Sequence, residues 1–157
     1  MRIAVLDDYQ DVFKTLKNFP RLKDHEVVTF SEPERDMDRL VAKIQERMAG
    51  LRTGDGRRGC DMGPLISQVH RDKVASYVDA GEAAGATIVV DGRNPEVDGE
   101  PGGYWLGPTL IDNVTTDMSV YTDEIFGPVL SVLRVSSYDE ALDMVNVHPY
   151  GNGTAIF

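Results

Sequence analysis

Apolar and polar positions alternate along the chain in blocks that predict short strands separated by amphipathic helices. Residues 2–6 are mainly apolar, and residues 25–30 contain β-branched and aromatic residues; both segments predict strands. The segment between them predicts a helix that Asp8 caps and Pro20 ends. The apolar face of this helix would consist of Val12, Phe13, Leu16 and Phe19. A strand, a helix and a second strand in this order are typical of a parallel sheet.

A polar, acid-rich joint at residues 31–38 precedes the next predicted helix. Asp36 or Asp38 is suited to cap this helix, which ends near Gly50. Its apolar face would consist of Leu40, Val41, Ile44 and Met48, which recur at helical spacing.

The remaining residues predict further helices and strands. One helix would begin after Ser67 and end at Gly85, and another would follow a capping box formed by Ser137 and Glu140. Strands are predicted at residues 86–91, 109–114, 129–135 and 153–157. The predicted fold class is therefore α/β, as a single layered domain with a predominantly parallel sheet flanked by helices.

Composition and charge exclude several classes of partner. The 157 residues carry a formal net charge of −10, which opposes binding to nucleic acid or to an anionic membrane surface. No apolar stretch approaches the roughly 20 residues that span a bilayer, and the acidic start does not resemble a signal sequence. The single cysteine excludes an internal disulfide. These features predict a cytoplasmic protein with neither nucleic-acid nor membrane partners.

The stretch from Tyr121 to Leu130 contains the main candidate site. Glu124 and Phe126 are two positions apart and would face the same side of an extended segment, with Ile125 directed to the core. A carboxylate accepts hydrogen bonds from paired sugar hydroxyls, and an aromatic ring covers an apolar sugar face. The pair therefore suits a nucleotide ribose. The alternative is a surface acid beside a core ring.

Residues 124–128 have the sequence E-I-F-G-P, which resembles a signature of the NAD(P)-dependent aldehyde dehydrogenases. Residues 53–65, 105–114 and 146–151 also resemble segments of that family and occur in family order, so the resemblance covers residues 40–157. The R-R-G-C sequence that ends at Cys60 is most similar to the CoA-acylating methylmalonate-semialdehyde dehydrogenases. The resemblance implies that Glu124 and Phe126 bind the cofactor, with Glu124 on the nicotinamide ribose of NAD.

The first part of the chain resembles a different family. Residues 1–35 are similar to the amino-terminal segment of the D-2-hydroxyacid dehydrogenases, which is flavodoxin-like, and carry none of that family's catalytic positions. The two resemblances meet at residues 36–39, in a loop, where splicing is best tolerated. We therefore predict a hybrid chain, either engineered or produced by recombination.

The catalytic thiol of the aldehyde dehydrogenases has no counterpart at the expected position. In that family the nucleophile precedes the helix that begins here near Leu40, where this chain has Asp, Glu and Arg. Cys60 lies after that helix and is interpreted as a structural or idle thiol. We therefore expect no catalytic residue and no stand-alone oxidoreductase activity.

Tight cofactor binding is also not expected. Glu124 and Phe126 would supply a few hydrogen bonds of about 1 kcal/mol each, whereas association costs roughly 4 to 15 kcal/mol. The alternative is a weak NAD site that oligomerisation completes. Truncated sheet edges favour self-association, so a homo-oligomer is a further prediction.

Three other patterns have weaker claims to a function. Residues 54–59 match G-x-G-x-x-G, but a helix precedes them instead of a strand, so phosphate binding is not predicted. Asp7 and Asp8 would either form an acidic Mg-binding pocket of the receiver type or cap the first helix. The three histidines are far apart in sequence, and no metal site is predicted: His25, His70 and His148.

Overall fold

The computed structural model describes residues 2–5, 12–29, 36–100, 102–151, 154 and 156. They form two compact units, residues 1–40 and residues 41–156, and the division falls within one helix. Helices and strands both occur, and three of the four strand pairings among the described residues are parallel, so the predicted α/β class is confirmed. Among the described residues, no helix is both long and apolar enough to cross a bilayer.

The first unit contains one parallel strand pair. Strand β1 (Arg2–Val5) pairs with β2 (Glu26–Thr29), with Ile3 opposite Val27. This is the parallel arrangement that the strand–helix–strand pattern predicted.

The helix predicted between these strands is wrong over the described residues. Two 3-10 turns occupy the segment, at Phe13–Thr15 and Phe19–Leu22, and Leu16 between them is extended with ψ 139°. In a continuous helix the ring of Pro20 would collide with the carbonyl of Leu16, four residues earlier. Pro20 accounts only for an end of the helix, which the sequence had already placed there; the break within the apolar pattern is at Leu16. Asp8, the predicted cap, lies outside the described residues.

Helix α1 (Met37–Ala49) begins where the acidic joint predicted it. Asp36 rather than Asp38 caps it, because the Asp36 Oδ1 atom accepts hydrogen bonds from the backbone N–H groups of Asp38 at 3.0 Å and Arg39 at 3.1 Å.

The second unit contains two small sheets and three further helices. Strands β3 (Thr53–Gly54) and β5 (Val97–Asp98) form a parallel pair. The other sheet has the order β4-β6-β7, with β4 (Thr87–Val90) antiparallel to β6 (Thr109–Asp112), and β6 parallel to β7 (Val129–Ser131). The helices are α2 (Gln68–Ala83), α3 (Ser119–Thr122) and α4 (Tyr138–Val147). Strand β7 is shorter than the predicted residues 129–135.

The core of this unit lies between helix α2 and the sheet of β4, β6 and β7. Strand β6 is buried along its whole length, and one cluster centres on Ile111 and Val78. A second cluster contains Val74 and Leu106, which are fully buried. Helix α2 contributes to both clusters, because residues four apart lie on one face of a helix. It is therefore the support for whatever packs on that side of the sheet.

Both long helices of the second unit begin at the caps that the sequence predicted. The Ser67 Oγ atom accepts a hydrogen bond from the backbone N–H of His70 at 3.2 Å, and Ser137 Oγ accepts one from Glu140 at 3.2 Å. The capping box differs in one detail, because the Glu140 carboxylate accepts from the N–H and hydroxyl of Ser136, one residue before the cap. These bonds lower the pKa of Glu140.

Candidate functional site

The segment that carries Glu124 and Phe126 connects helix α3 to strand β7. Ile125 packs against both core clusters and anchors the segment, as predicted. Glu124 is exposed, and Phe126 is 74% exposed. Phe126 is thus not a core ring, and both candidate side chains are accessible to a ligand.

The predicted extended conformation of this segment is wrong at Phe126. Phe126 has a φ of 53°, in the left-handed region that bulky residues rarely adopt. The chain turns there because Gly127 lies directly against helix α2: a Cβ atom on Gly127 would be 2.5 Å from Cγ1 of Val74. The turn, rather than strand alternation, sets the directions of the Glu124 and Phe126 side chains.

Helix α2 holds the segment at both ends with polar contacts. The Nε2 atom of His70 is 2.7 Å from the Phe126 carbonyl oxygen, and the hydroxyl of Tyr77 donates to Asp123 Oδ2 at 2.9 Å. His70, Val74 and Tyr77 are four and three residues apart, so they share one face of the helix. The segment that carries Glu124 and Phe126 packs on this face of helix α2.

The carboxylate of Asp123 is held by hydrogen bonds within the chain, whereas that of Glu124 is not. The hydrogen bond from Tyr77 lowers the pKa of Asp123, together with one from Thr122 and the charge of Lys73, and the same bond raises the pKa of Tyr77. The neighbouring Glu124 accepts no hydrogen bond from the part of the chain that the structure describes. Glu124 is therefore the carboxylate that a ligand can use.

A second histidine contacts the chain just before the segment. The Nε2 atom of His148 is 2.8 Å from the Tyr121 carbonyl oxygen, and the two rings meet edge to face with centroids 4.6 Å apart. Both residues line a concavity of about 450 Å³ beside helix α4, which does not include Glu124 or Phe126. The candidate pair is therefore exposed and does not line this concavity.

Cys60 lies in a different part of the second unit. It packs against Gly54, where an added Cβ atom would be 2.8 Å from its Sγ atom, and Arg52 contacts it at 3.8 Å. Residues 54–59 end strand β3 and form a 3-10 turn that Asp55 caps, so no α-helix begins there. Arg57, with a side chain 90% exposed, pairs with Asp55.

Several weaker candidates do not form sites in the described residues. Within residues 2–5, 12–29, 36–100 and 102–151, no group of three or more His, Cys, Asp and Glu side chains could hold a metal ion. Asp7 and Asp8 lie outside the described residues, as does most of the strand predicted at residues 153–157.

Sequence reasoning found Glu124 and Phe126 but missed the residues that hold them. The 4 and 3 spacing of His70, Val74 and Tyr77 is compatible with one helix face. Nothing in that spacing reveals that the face contacts a loop about 50 residues later in the chain. The left-handed Phe126 was missed for the same reason.

Comparison with known proteins gives the family. A profile described as the aldehyde dehydrogenase family matches residues 33–157, which is most of the chain. The chain belongs to the aldehyde dehydrogenase family. The resemblance of residues 40–157 is thereby confirmed, whereas no comparison shows a hydroxyacid dehydrogenase segment at residues 1–35.

Curated relatives of this aldehyde dehydrogenase chain include semialdehyde dehydrogenases. A malonate-semialdehyde dehydrogenase of Pseudomonas aeruginosa is 49% identical over 121 residues, which are 76% of this chain and 24% of the relative. An acylating, mitochondrial methylmalonate-semialdehyde/malonate-semialdehyde dehydrogenase of Rattus norvegicus is 47% identical over 74% of this chain and 22% of its own. The chain thus spans about a quarter of the length of these relatives.

Solved structures give the same family. The methylmalonate-semialdehyde dehydrogenase DddC of Oceanimonas doudoroffii aligns with a TM-score of 0.72 and 35% identity, over 96% of this chain and 33% of that one. A Mycobacterium tuberculosis aldehyde dehydrogenase complexed with NAD+ aligns with a TM-score of 0.67 and 31% identity, over 74% of this chain and 24% of that one.

Proposed function

We propose that this chain supplies the ribose contact of an NAD-dependent aldehyde dehydrogenase of the methylmalonate-semialdehyde type. The observation that carries the proposal is the pair of exposed side chains, Glu124 and Phe126, on a segment whose central Ile125 is anchored in both core clusters. This anchor keeps the segment on the core while its two outer side chains stay accessible to a ligand. The relative from Mycobacterium tuberculosis, which was solved with NAD+, supports the choice of ligand.

The chemistry of the pair suits a ribose ring. An ionised carboxylate accepts hydrogen bonds from two adjacent hydroxyl groups, and Glu124 has no competing partner among the described residues. The exposed Phe126 ring covers an apolar face. These contacts contribute a few hydrogen bonds of about 1 kcal/mol each, against an association cost of roughly 4 to 15 kcal/mol. The isolated chain therefore binds NAD weakly.

We also propose that the 157 residues fold but do not oxidise an aldehyde on their own. Oxidation by this family needs a thiolate nucleophile. Cys60, the single cysteine, packs beside Gly54 and not on the face of helix α2 that contacts the Glu124 segment. Mixing the chain with an aldehyde, NAD and CoA should give no rise in NADH absorbance. Turnover that a Cys60→Ala variant abolishes would contradict this proposal.

Replacing Glu124 with alanine is expected to remove NAD-dependent chemical-shift changes from the segment. In a titration of the 15N-labelled chain, NAD in large excess should give small shifts in the amide signals of residues 123–127, because these residues include the two exposed side chains that would meet the ribose. The matched control is Glu96→Ala, which removes an exposed acid elsewhere. Equal shifts in the Glu124→Ala variant, or no shifts in the unmodified chain, would contradict the ribose contact.

Self-association through a sheet edge is a second part of the proposal. Within the described residues, β4 and β7 each have a strand neighbour on one side only, and Leu130 on β7 is 46% exposed. An unpaired strand edge is a template for another copy of the chain. Sedimentation velocity should show a dimer that Leu130→Lys converts to monomer. A monomer at every concentration would contradict it.

The hybrid origin remains our proposal. The family match begins at residue 33, close to the division of the two units at Leu40. Against this, the alignment with DddC covers 96% of the chain and so extends into the first 40 residues. A natural aldehyde dehydrogenase that carries a segment similar to residues 1–35 in the same position would make a hybrid unnecessary.

A further inference from the structure

The imidazole ring of His70 contacts the segment that carries Glu124 and Phe126. It lies in the first turn of helix α2, where the Ser67 cap accepts a hydrogen bond from its backbone N–H. Its Nε2 atom is 2.7 Å from the carbonyl oxygen of Phe126. A carbonyl oxygen only accepts hydrogen bonds, so Nε2 carries the proton in this contact.

This hydrogen bond is the polar tether of the residues that would meet the cofactor. Within residues 124–126, the Phe126 carbonyl is the one backbone group with a hydrogen-bond partner among the described residues. Ile125 holds the segment by apolar contacts alone, which do not specify a backbone conformation. The direction of the Phe126 peptide group is therefore set by His70.

The conformation that His70 holds is one that a phenylalanine does not adopt readily. Phe126 has a φ of 53°, and a bulky side chain in the left-handed region persists only when its surroundings determine it. The close packing of Gly127 on Val74 constrains the next residue, while His70 constrains Phe126 itself. Without the tether, the segment has freedom to return to the extended backbone region.

We infer that His70 is a positioning residue, whose Nε2–H holds Phe126 in the left-handed conformation and so places the Phe126 ring and the Glu124 carboxylate. The consequence for NAD rests on the function proposed above, whereas the conformational role of His70 does not. Helix α2 thereby connects the core of the second unit to the ligand-facing surface. Its imidazole acts through the Phe126 carbonyl and takes no part in chemistry.

Two substitutions separate the hydrogen bond from the bulk of the side chain. His70→Phe keeps a ring but has no donor, and His70→Gln has an amide nitrogen as many bonds from Cβ as the imidazole Nε2. His25→Phe is the matched control, since His25 is exposed and belongs to the first unit. The readout is the NOE between the amide and α protons of Phe126, which is intense when φ is positive.

We expect an intense Phe126 NOE in the unmodified chain, in His70→Gln and in His25→Phe, and its loss in His70→Phe. The affinity for NAD, read from the concentration dependence of the shifts, should fall roughly tenfold in His70→Phe and recover in His70→Gln. A tenfold change corresponds to about 1.4 kcal/mol, close to the net contribution of one hydrogen bond. An intense NOE in His70→Phe would overturn the inference. A third outcome is loss of the NOE in His70→Phe together with no NAD-dependent shifts in the unmodified chain. That outcome would support the role of His70 and refute the proposed function.

A measurement on the unmodified chain covers the case in which His70→Phe does not fold. Long-range 15N spectra of the histidine rings distinguish the two neutral tautomers. At a pH where His70 is neutral, we expect the proton on Nε2, as the 2.7 Å contact with the Phe126 carbonyl requires. A proton on Nδ1 would overturn the inference.

Discussion

Replacing Arg134 with methionine is expected to lower the free energy of unfolding by about 3 kcal/mol. Arg134 forms two hydrogen bonds to the carboxylate of Asp112, from Nε at 3.1 Å and from a terminal nitrogen at 2.7 Å. Asp112 ends the buried strand β6 and is only 4% exposed, so the substitution leaves a buried carboxylate without its counterion. The Arg134 side chain is itself one-third exposed, so we expect the lower end of the range for such pairs.

Urea denaturation of the unmodified chain and of Arg134→Met measures this difference in the free energy of unfolding. The comparison requires that the slope of this free energy against urea concentration is the same in both chains. The matched control is Arg57→Met, which also breaks a two-point pair with a carboxylate but at a position that is 90% exposed. Its effect should be much smaller, because exposed pairs contribute little. Equal losses in the two variants would show that burial of Asp112 is not the cause.

The same pair predicts a dependence on pH. The hydrogen bonds from Arg134 lower the pKa of Asp112 in the folded chain. A carboxyl group with a lowered folded pKa contributes stability above its unfolded pKa of about 3.9 and loses it as pH falls through the folded value. The difference between the unmodified chain and Arg134→Met should therefore shrink as pH falls, because the unpaired Asp112 of the variant is protonated at a higher pH than the paired one. A constant difference from pH 7 to pH 3 would contradict this origin.

Local signals in the sequence predicted most of the secondary structure of the second unit. Ser67 and Ser137 identified the starts of α2 and α4, because a side-chain oxygen at the cap satisfies an N–H group only three residues later. Apolar runs predicted strands at residues 86–91 and 109–114, where the structure has strands at residues 87–90 and 109–112. Such features need no knowledge of what packs against them.

The predictions that were wrong concern features that local patterns do not determine. The helix predicted to end at Pro20 is broken at Leu16 into two 3-10 turns, although its apolar spacing is regular. Strand β7 stops at Ser131, although the apolar run continues to residue 135. The backbone of Phe126 is set by His70 and Val74, which are more than 50 residues away.

In the candidate site, too, the residue types were predictable from the local sequence and the backbone geometry was not. A carboxylate and a ring two residues apart could be identified from sequence, and both side chains are exposed. The predicted packing of Ile125 on the core is confirmed, but the directions of the two exposed side chains come from the left-handed turn at Phe126 and not from strand alternation. The residue types therefore indicated a ligand, while the geometry came from helix α2.

Replacing Gly127 with alanine is expected to destabilise the chain by about 1 to 3 kcal/mol and to lift the segment from helix α2. The added Cβ atom would lie 2.5 Å from Cγ1 and 2.9 Å from Cγ2 of Val74. Val74 is fully buried and β-branched, so its χ1 angle is restricted and the side chain has little room to move away. The segment must move instead, and with it Glu124 and Phe126.

The matched control for this variant is Gly63→Ala, where an added Cβ atom has no neighbour within 4 Å. Thermal or urea unfolding of both variants gives the difference in stability, and the Phe126 NOE reports whether the segment has moved. Val74→Ala removes the methyl groups that the new Cβ would meet, so the double variant with Gly127→Ala should lose less stability than the sum of the single variants. Strict additivity would mean that the glycine is not needed for close packing on Val74.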